Sequence, residues 1–247
     1  MIKLKSREEI SKLKKGGRIL AQILEEVSRQ VKPGVNVLNL EAKIGQLLIK
    51  EKAASAFLGF RDYPALSCLS VNNEVVHSIP RSRILKQGDL LTIDLGVRFL
   101  GLITDAAVTL PVGKTAPDVL TLLTVTKKAL FSGIKKAKPG NRVGDISAAI
   151  EKEVIKAGLT IIKSLTGHGT GYELQEPPSI PNFGTKATGV VLREGMVLAI
   201  EPIVGLGKDA LELDKDNWTV KTKDNYLTAH FEHTIAITKK RPLVLTK

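Results

Sequence analysis

Four acidic residues border apolar runs in a pattern that could do chemistry together. Asp94 follows Leu90-Leu91-Thr92-Ile93 and Asp105 precedes Ala106-Ala107-Val108; Glu201 follows Val197-Leu198-Ala199-Ile200 and Glu232 precedes His233-Thr234-Ile235. One such carboxylate usually caps a turn. Two acidic residues recurring on equivalent strands would instead meet, and four converging carboxylates repel strongly unless cations neutralise them. Two divalent ions roughly 3.5 Å apart, bridged by two of the carboxylates, would do so. With an acidic cluster inferred, His168 in Thr166-Gly167-His168-Gly169 reads as a single borderline nitrogen ligand, its glycine flanks allowing close backbone approach.

Composition narrows the metal chemistry. The chain has only four histidines (His77, His168, His230, His233) and one cysteine, Cys68, so a metal site must lean on carboxylates, which select hard or borderline divalent ions. The lone cysteine also excludes an internal disulfide framework and fits a reducing compartment. In 247 residues, 43% hydrophobic and 25% charged side chains exclude a disordered chain and can bury a core unaided. No signal peptide or membrane span is legible, so a cytoplasmic protein is expected. The net charge of +12 points to an anionic neighbour such as nucleic acid, a ribosome or a membrane surface without choosing among them.

The elements that must position these residues come in two sets. Lys32-Pro33-Gly34 followed by Val37, Leu40, Ala42 and Ile44 recurs at constant offset as Lys138-Pro139-Gly140 with Val143, Ile146, Ala148 and Ile150. Each Pro-Gly turn closes one helix before the next begins. Ser6 and Glu9 form a capping box ahead of Ile10, Leu13, Leu20, Leu24 and Val27, and Pro117-Asp118 opens the corresponding helix of the second copy. The repeat runs on into a buried strand, 88–94 matching 195–201 and each ending in its carboxylate. Asp94 and Glu201 are therefore equivalent. Wider spacing of the second acidic pair implies an insertion, mostly the polar stretch 208–224, read as a hairpin or excursion near the site. An α+β fold is expected: one domain over 1–247, with pseudo-symmetric halves of about 1–113 and 114–247 whose helices pack on a mostly antiparallel sheet.

Asp94, Asp105, His168, Glu201 and Glu232 follow the order and approximate spacing of the metal ligands in type I methionine aminopeptidases, which the whole chain resembles. Further strings agree: Ser70-Val71-Asn72, Val76-His77-Ser78-Ile79-Pro80, Ile200-Glu201-Pro202, Trp218-Thr219-Val220-Lys221-Thr222 and Phe231-Glu232-His233-Thr234. The resemblance implies the curved "pita-bread" fold and removal of the initiator methionine from new polypeptides. It implies that Asp94 chelates one metal, that His168 and Glu201 chelate the other, and that Asp105 and Glu232 bridge both. A bridging hydroxide would attack the scissile carbonyl, with Glu201 as proton shuttle, and His77 would contact the peptide nitrogen beyond the scissile bond. Phe60, Tyr63, Cys68 and Trp218 match positions of the methionine pocket and offer a soft, partly aromatic surface. Cobalt, manganese, iron and zinc all suit such a ligand set.

The pattern breaks at Gln175. Seven residues after His168, the family has a second histidine that helps orient and polarise the substrate carbonyl. Glutamine can donate an amide N–H there but cannot carry charge, so Gln175 is expected to act more weakly in catalysis and substrate binding. Leu174 replaces an aromatic residue beside it. Two alternatives remain open. X-Pro peptidases share the ligand set, although they usually carry a sizeable N-terminal domain. A weakened relative holding nascent chains or ribosomal RNA is the other, motivated by Gln175 and the positive charge. Lys3, Lys5, Lys14, Lys15, Lys135 and Lys136 are expected at the solvated surface, where they would serve a ribosome-docking face. A monomer is expected, since nothing suggests a partner helix.

Overall fold

In the computed structural model, which describes residues 2–247, helix α1 (Arg7–Ser28) starts where the sequence places its cap. The Ser6 hydroxyl accepts from the Glu9 amide while the Glu9 carboxylate accepts from the Ser6 amide. Its apolar stripe of Leu13, Leu20, Ile23, Leu24 and Val27 is buried. Asn36 caps α2 (Val37–Lys50) by accepting from the Leu38 amide. Then come β1 (Ala54–Ser55), β2 (Cys68–Val71), β3 (Glu74–Val76), β4 (Leu90–Phe99) and β5 (Leu102–Pro111).

A second helix pair follows. Pro117 opens α3 (Pro117–Lys136) as its first residue, where a missing N–H costs nothing. Asp145 accepts from the Arg142 amide at the start of α4 (Val143–Lys156). The chain then forms β6 (Thr160–Ile161), β7 (Thr166–Gly169), β8 (Glu176–Pro181), β9 (Val197–Ile200) and β10 (Ile203–Gly205). It ends in β11 (Leu211–Leu213), β12 (Val220–Thr222), β13 (Thr228–His230), β14 (His233–Ile237) and β15 (Pro242–Val244).

The two Lys-Pro-Gly turns make matching contacts. Gly34 and Gly140 both have φ near +90°, which suits glycine. Their amides donate to the carbonyls of Leu85 and Leu192 respectively. One apolar core lies between the first helix pair and its strands (Leu20, Ile44, Ile93), the other between the second pair and its strands (Leu122, Ile146, Leu198).

All strand pairs are antiparallel, but they are divided among four sheets rather than one. β4 is longer than the sequence suggests. It does not end at Asp94 but runs on to Phe99, because Leu95 and Val97 are buried and residues 95–99 pair with 102–106. Within 208–224, β11 and β12 form the expected hairpin, and β12 joins β3. Among the described residues no helix is long and apolar enough to cross a membrane.

Candidate metal centre

Strand register brings the carboxylates together. Asp94 pairs with Ala107 and Gly96 with Asp105, so Asp94 and Asp105 are diagonal neighbours on one face of the β4–β5 hairpin. His168 on β7 pairs with Ala199 on β9, two residues before Glu201, which places His168 and Glu201 on a common face. Ile200 pairs with His233, so Glu201 and Glu232 lie one step beyond the last registered pair of β9 and β14. Pro202 lacks an N–H and marks the break between β9 and β10.

Backbone bonds through two threonines tie the halves across this centre. The Thr234 hydroxyl accepts from the Asp105 amide (2.8 Å) and donates to the Asp105 carbonyl (2.7 Å). The Thr109 hydroxyl does the same for the amide and carbonyl of His230, each at 2.8 Å.

His168 is prepared as a nitrogen ligand. Its Nδ1 lies 3.0 Å from the Gly169 carbonyl, which can only accept, so Nδ1 carries the proton and the Nε2 lone pair faces the site. Nε2 is 3.3 Å from Glu201 Oε1. The flanking glycines permit this close layering: a Cβ on Gly167 would stand 2.4 Å from the Ala199 carbonyl, and one on Gly169 would stand 2.4 Å from that of Pro177.

Asp105, His168 and Glu232 each offer a ligand atom within 4.8 Å of the others. Asp94 Oδ1, Asp105 Oδ1 and Glu232 Oε1 are buried without hydrogen-bond partners. Burial pushes the Asp105 carboxyl up to about 7. Asp94, Glu201 and Glu232 are raised well above the usual carboxylate range, first by burial and then by neighbouring carboxylates. Orphaned oxygens with mutual repulsion and one tautomer-locked imidazole fit divalent cations, which would supply the missing partners and cancel the repulsion.

Above the acids lies a cavity of about 290 Å³. Phe60, Tyr63, Cys68 and Trp218 line one wall, with the Tyr63 and Trp218 rings edge to face at 5.1 Å. Cys68 pairs directly with Asp94 across β2 and β4, so the pocket floor abuts the acidic centre. Burial and the Asp94 charge hold the Cys68 thiol protonated, an apolar surface rather than a nucleophile. Leu174 is buried among Phe57, Tyr63 and Cys68, filling the wall where the resemblance implies an aromatic residue. His77, at φ +57° directly after β3, opens into the cavity; desolvation and the Arg61 cation lower its ring below the usual histidine range. Gln175 lines the same cavity from its exposed rim.

The model of metallopeptidase family M24 matches residues 11–239. The chain belongs to that family. A methionine aminopeptidase of Aquifex aeolicus is 43% identical over 257 residues, covering 100% of this chain and 99% of the relative. Methionine aminopeptidase 1 of Bacillus subtilis is 41% identical over 247 residues, with 100% of both chains covered. The crystal structure of the Thermotoga maritima methionine aminopeptidase superposes with a TM-score of 0.98 at 43% identity, covering 100% of each chain. The prolidase of Pyrococcus horikoshii shares the fold (TM-score 0.79, 22% identity), with 99% of this chain matching 63% of that one. The pita-bread fold is thus common to both branches of M24, and the chain sits with the methionine aminopeptidases.

Arg61 and His230 enter the M24 site without having been singled out in the sequence. Arg61 lines the cavity from a strained loop, with φ +50°. His230 is 2% exposed, with Nε2 3.5 Å from Glu201 Oε2 and 3.9 Å from Glu232 Oε2. It ends a three-residue strand and Glu232 lies between strands, so no alternation in the sequence marks it.

Lys5 corrects an expectation. It is not at the solvated surface but 5% exposed, with Nζ 2.6 Å from Glu176 Oε2 and over the Tyr172 ring at 4.8 Å. Glu176 in turn accepts from the Tyr172 and Glu173 amides. The buried pair therefore braces the loop that carries Leu174 and Gln175, and burying so long a cation is tolerable only because the carboxylate meets it.

Proposed function

We propose that this chain is a cytoplasmic methionine aminopeptidase that removes the initiator methionine from nascent proteins. The observation that carries the reading is the set of partnerless, buried carboxylate oxygens beneath a pocket walled by Phe60, Tyr63, Cys68 and Trp218. Asp94 would hold one divalent ion, His168 and Glu201 a second, and Asp105 and Glu232 both. Cobalt, manganese, iron and zinc are the candidates. When bound, the ions supply Lewis acidity, making a water more acidic and polarising the scissile carbonyl.

The chain's own residues do the rest. The aromatic wall and Cys68 take the unbranched thioether side chain and exclude water from it. His77 meets the peptide nitrogen beyond the scissile bond, and Gln175 offers an amide N–H to the carbonyl oxygen. Glu201 takes a proton from the attacking water on one carboxylate oxygen. As the carbon–nitrogen bond breaks, it passes that proton to the leaving amine. We read the chain as a single catalytic domain and a monomer.

The metal-free protein, supplemented separately with cobalt, manganese, iron and zinc, is expected to release methionine from Met-Gly-Met and nothing from X-Pro dipeptides. Cleavage of X-Pro alone would move the chain to the prolidase activity. No cleavage with any metal would favour a binding protein.

The positive charge supports a ribosome-facing surface. Lys135, Lys136, Lys138, Lys152, Lys186 and Arg241 line one groove beside α3 and α4. Reversing Lys135 and Lys136 to glutamate is expected to cut ribosome co-sedimentation severalfold at low salt with Met-Gly-Met cleavage unchanged. Equal co-sedimentation would remove this surface from consideration.

A further inference from the structure

Three imidazoles line the cavity, and they are held differently. His168 has its Nδ1 proton committed to a backbone carbonyl. His77 is exposed, in irregular backbone directly after β3. His230 is buried, and neither ring nitrogen has a hydrogen-bond partner among the described residues. A buried ring with two orphaned nitrogens costs free energy unless the site uses it.

Its backbone, by contrast, is fixed at both ends. The Thr109 hydroxyl accepts from the His230 amide and donates to the His230 carbonyl, and Thr109 Oγ1 contacts Thr92 Oγ1 at 2.8 Å. A ring on so rigid a support has a defined direction, and that direction is toward Glu201. The two oxygens of that carboxylate face different imidazoles: Oε1 is 3.3 Å from His168 Nε2, and Oε2 is 3.5 Å from His230 Nε2. His230, like Asp94 and Glu201, stands outside the compact group formed by Asp105, His168 and Glu232. It also lacks the anchored second nitrogen that a ligating imidazole normally shows.

We propose that His230 is a positioning residue for the hydrolysis: its Nε2–H donates toward Glu201 Oε2 and aims that oxygen at the proton it must carry. This rests on the reading of Glu201 as proton shuttle. Oε1 faces His168, with which it would hold an ion, Oε2 remains the oxygen that takes and gives the proton, and the imidazole fixes its direction. A contact of 3.5 Å is long for a hydrogen bond, and catalytic contacts of this kind shorten when the site fills.

The test uses the zinc-loaded full chain. Long-range proton–nitrogen NMR spectra of the imidazoles are expected to show His230 as the Nε2–H tautomer; the Nδ1–H tautomer would overturn the proposal. His230→Ala is expected to lower kcat for Met-Gly-Met about 10- to 100-fold, with KM within about threefold. Zinc titration by calorimetry should still give the wild-type number of ions. His230→Gln, which keeps an N–H donor, is expected to recover most of the loss. Loss of a zinc equivalent in His230→Ala would make the residue a ligand instead, and an unchanged kcat would make it a bystander. A glutamine no better than alanine would show that donation is not its role. Should the wild type cleave nothing, the aminopeptidase reading fails, while the tautomer and the zinc count still decide the His230 contact.

Discussion

Asp105→Asn is expected to abolish metal-dependent methionine release and, in the metal-free protein, to raise stability at neutral pH. Asp105 combines an orphaned buried oxygen with a place in the Asp105–His168–Glu232 group. An amide is a poor ligand for a divalent ion and brings no charge to balance it. Losing several kcal/mol of transition-state stabilisation corresponds to a fall of about a thousandfold or more. The same substitution removes a buried charge from beside Asp94, Glu201 and Glu232, whose carboxyls its repulsion helps to raise.

The sign of the pH dependence follows from that shift. An ordinary aspartate titrates near 3.8, and burial pushes Asp105 up to about 7. Between those values the folded protein holds a proton that the unfolded chain has released, so this contribution is fully present below 3.8 and lost as pH rises through 7. His230 runs the other way. Burial holds its ring down to about 3 against an ordinary 6.5, so the unfolded chain binds the extra proton and that contribution grows as pH climbs.

Whole-protein melting therefore mixes opposite slopes, and the difference between wild type and Asp105→Asn isolates Asp105 together with the neighbouring carboxyls that its charge raises. In the presence of a chelator, urea unfolding should show the variant's advantage growing from pH 4 to 7 and then levelling, at no more than about 4 kcal/mol. Added metal should reverse the order, because it stabilises the wild type by binding its folded state. A variant that is no more stable than wild type at pH 7 without metal, or that still releases methionine, would contradict this account.

What the sequence made legible here has a physical pattern. Asp94, Asp105, Glu201 and Glu232 could be found because each borders an apolar run, and the repeated Lys-Pro-Gly turn supplies a second copy against which to align them. Strand periodicity then carries them to one face. Nothing comparable marks Lys5: its partner Glu176 lies 171 residues away, and a lysine near the chain start looks the same whether solvated or buried. His230 stands in a three-residue strand too short to display alternation, and its orphaned ring nitrogens become visible only when the pocket closes around them. The length of β4 is hidden for a related reason. Asp94 looks like a terminus in one dimension, but the residues beyond it find partners on β5 and a buried place for Leu95 and Val97.

Gln175→His is expected to raise kcat for Met-Gly-Met about tenfold, with KM changed by less than threefold, and Gln175→Ala to lower kcat by a smaller factor. Removing a preorganised donor to a developing oxyanion costs about 100- to 1,000-fold where water is excluded. Gln175 does not meet that condition fully. It stands exposed on the cavity rim, on the loop between β7 and β8, where water competes for the same carbonyl. Its amide is also neutral and attached through a flexible side chain, so part of each donation is lost to ordering it. The Lys5–Glu176 pair immediately beside it holds the backbone, which makes the side chain rather than the loop the softer element. An imidazole there is stiffer, holds its N–H in a fixed plane, and can carry positive charge as the oxyanion forms. The gain should appear in kcat, because the charge it meets develops only in the transition state. A fall in KM with kcat unchanged would instead make position 175 a ground-state binding contact. No change in either constant would place it beyond reach of the reacting carbonyl.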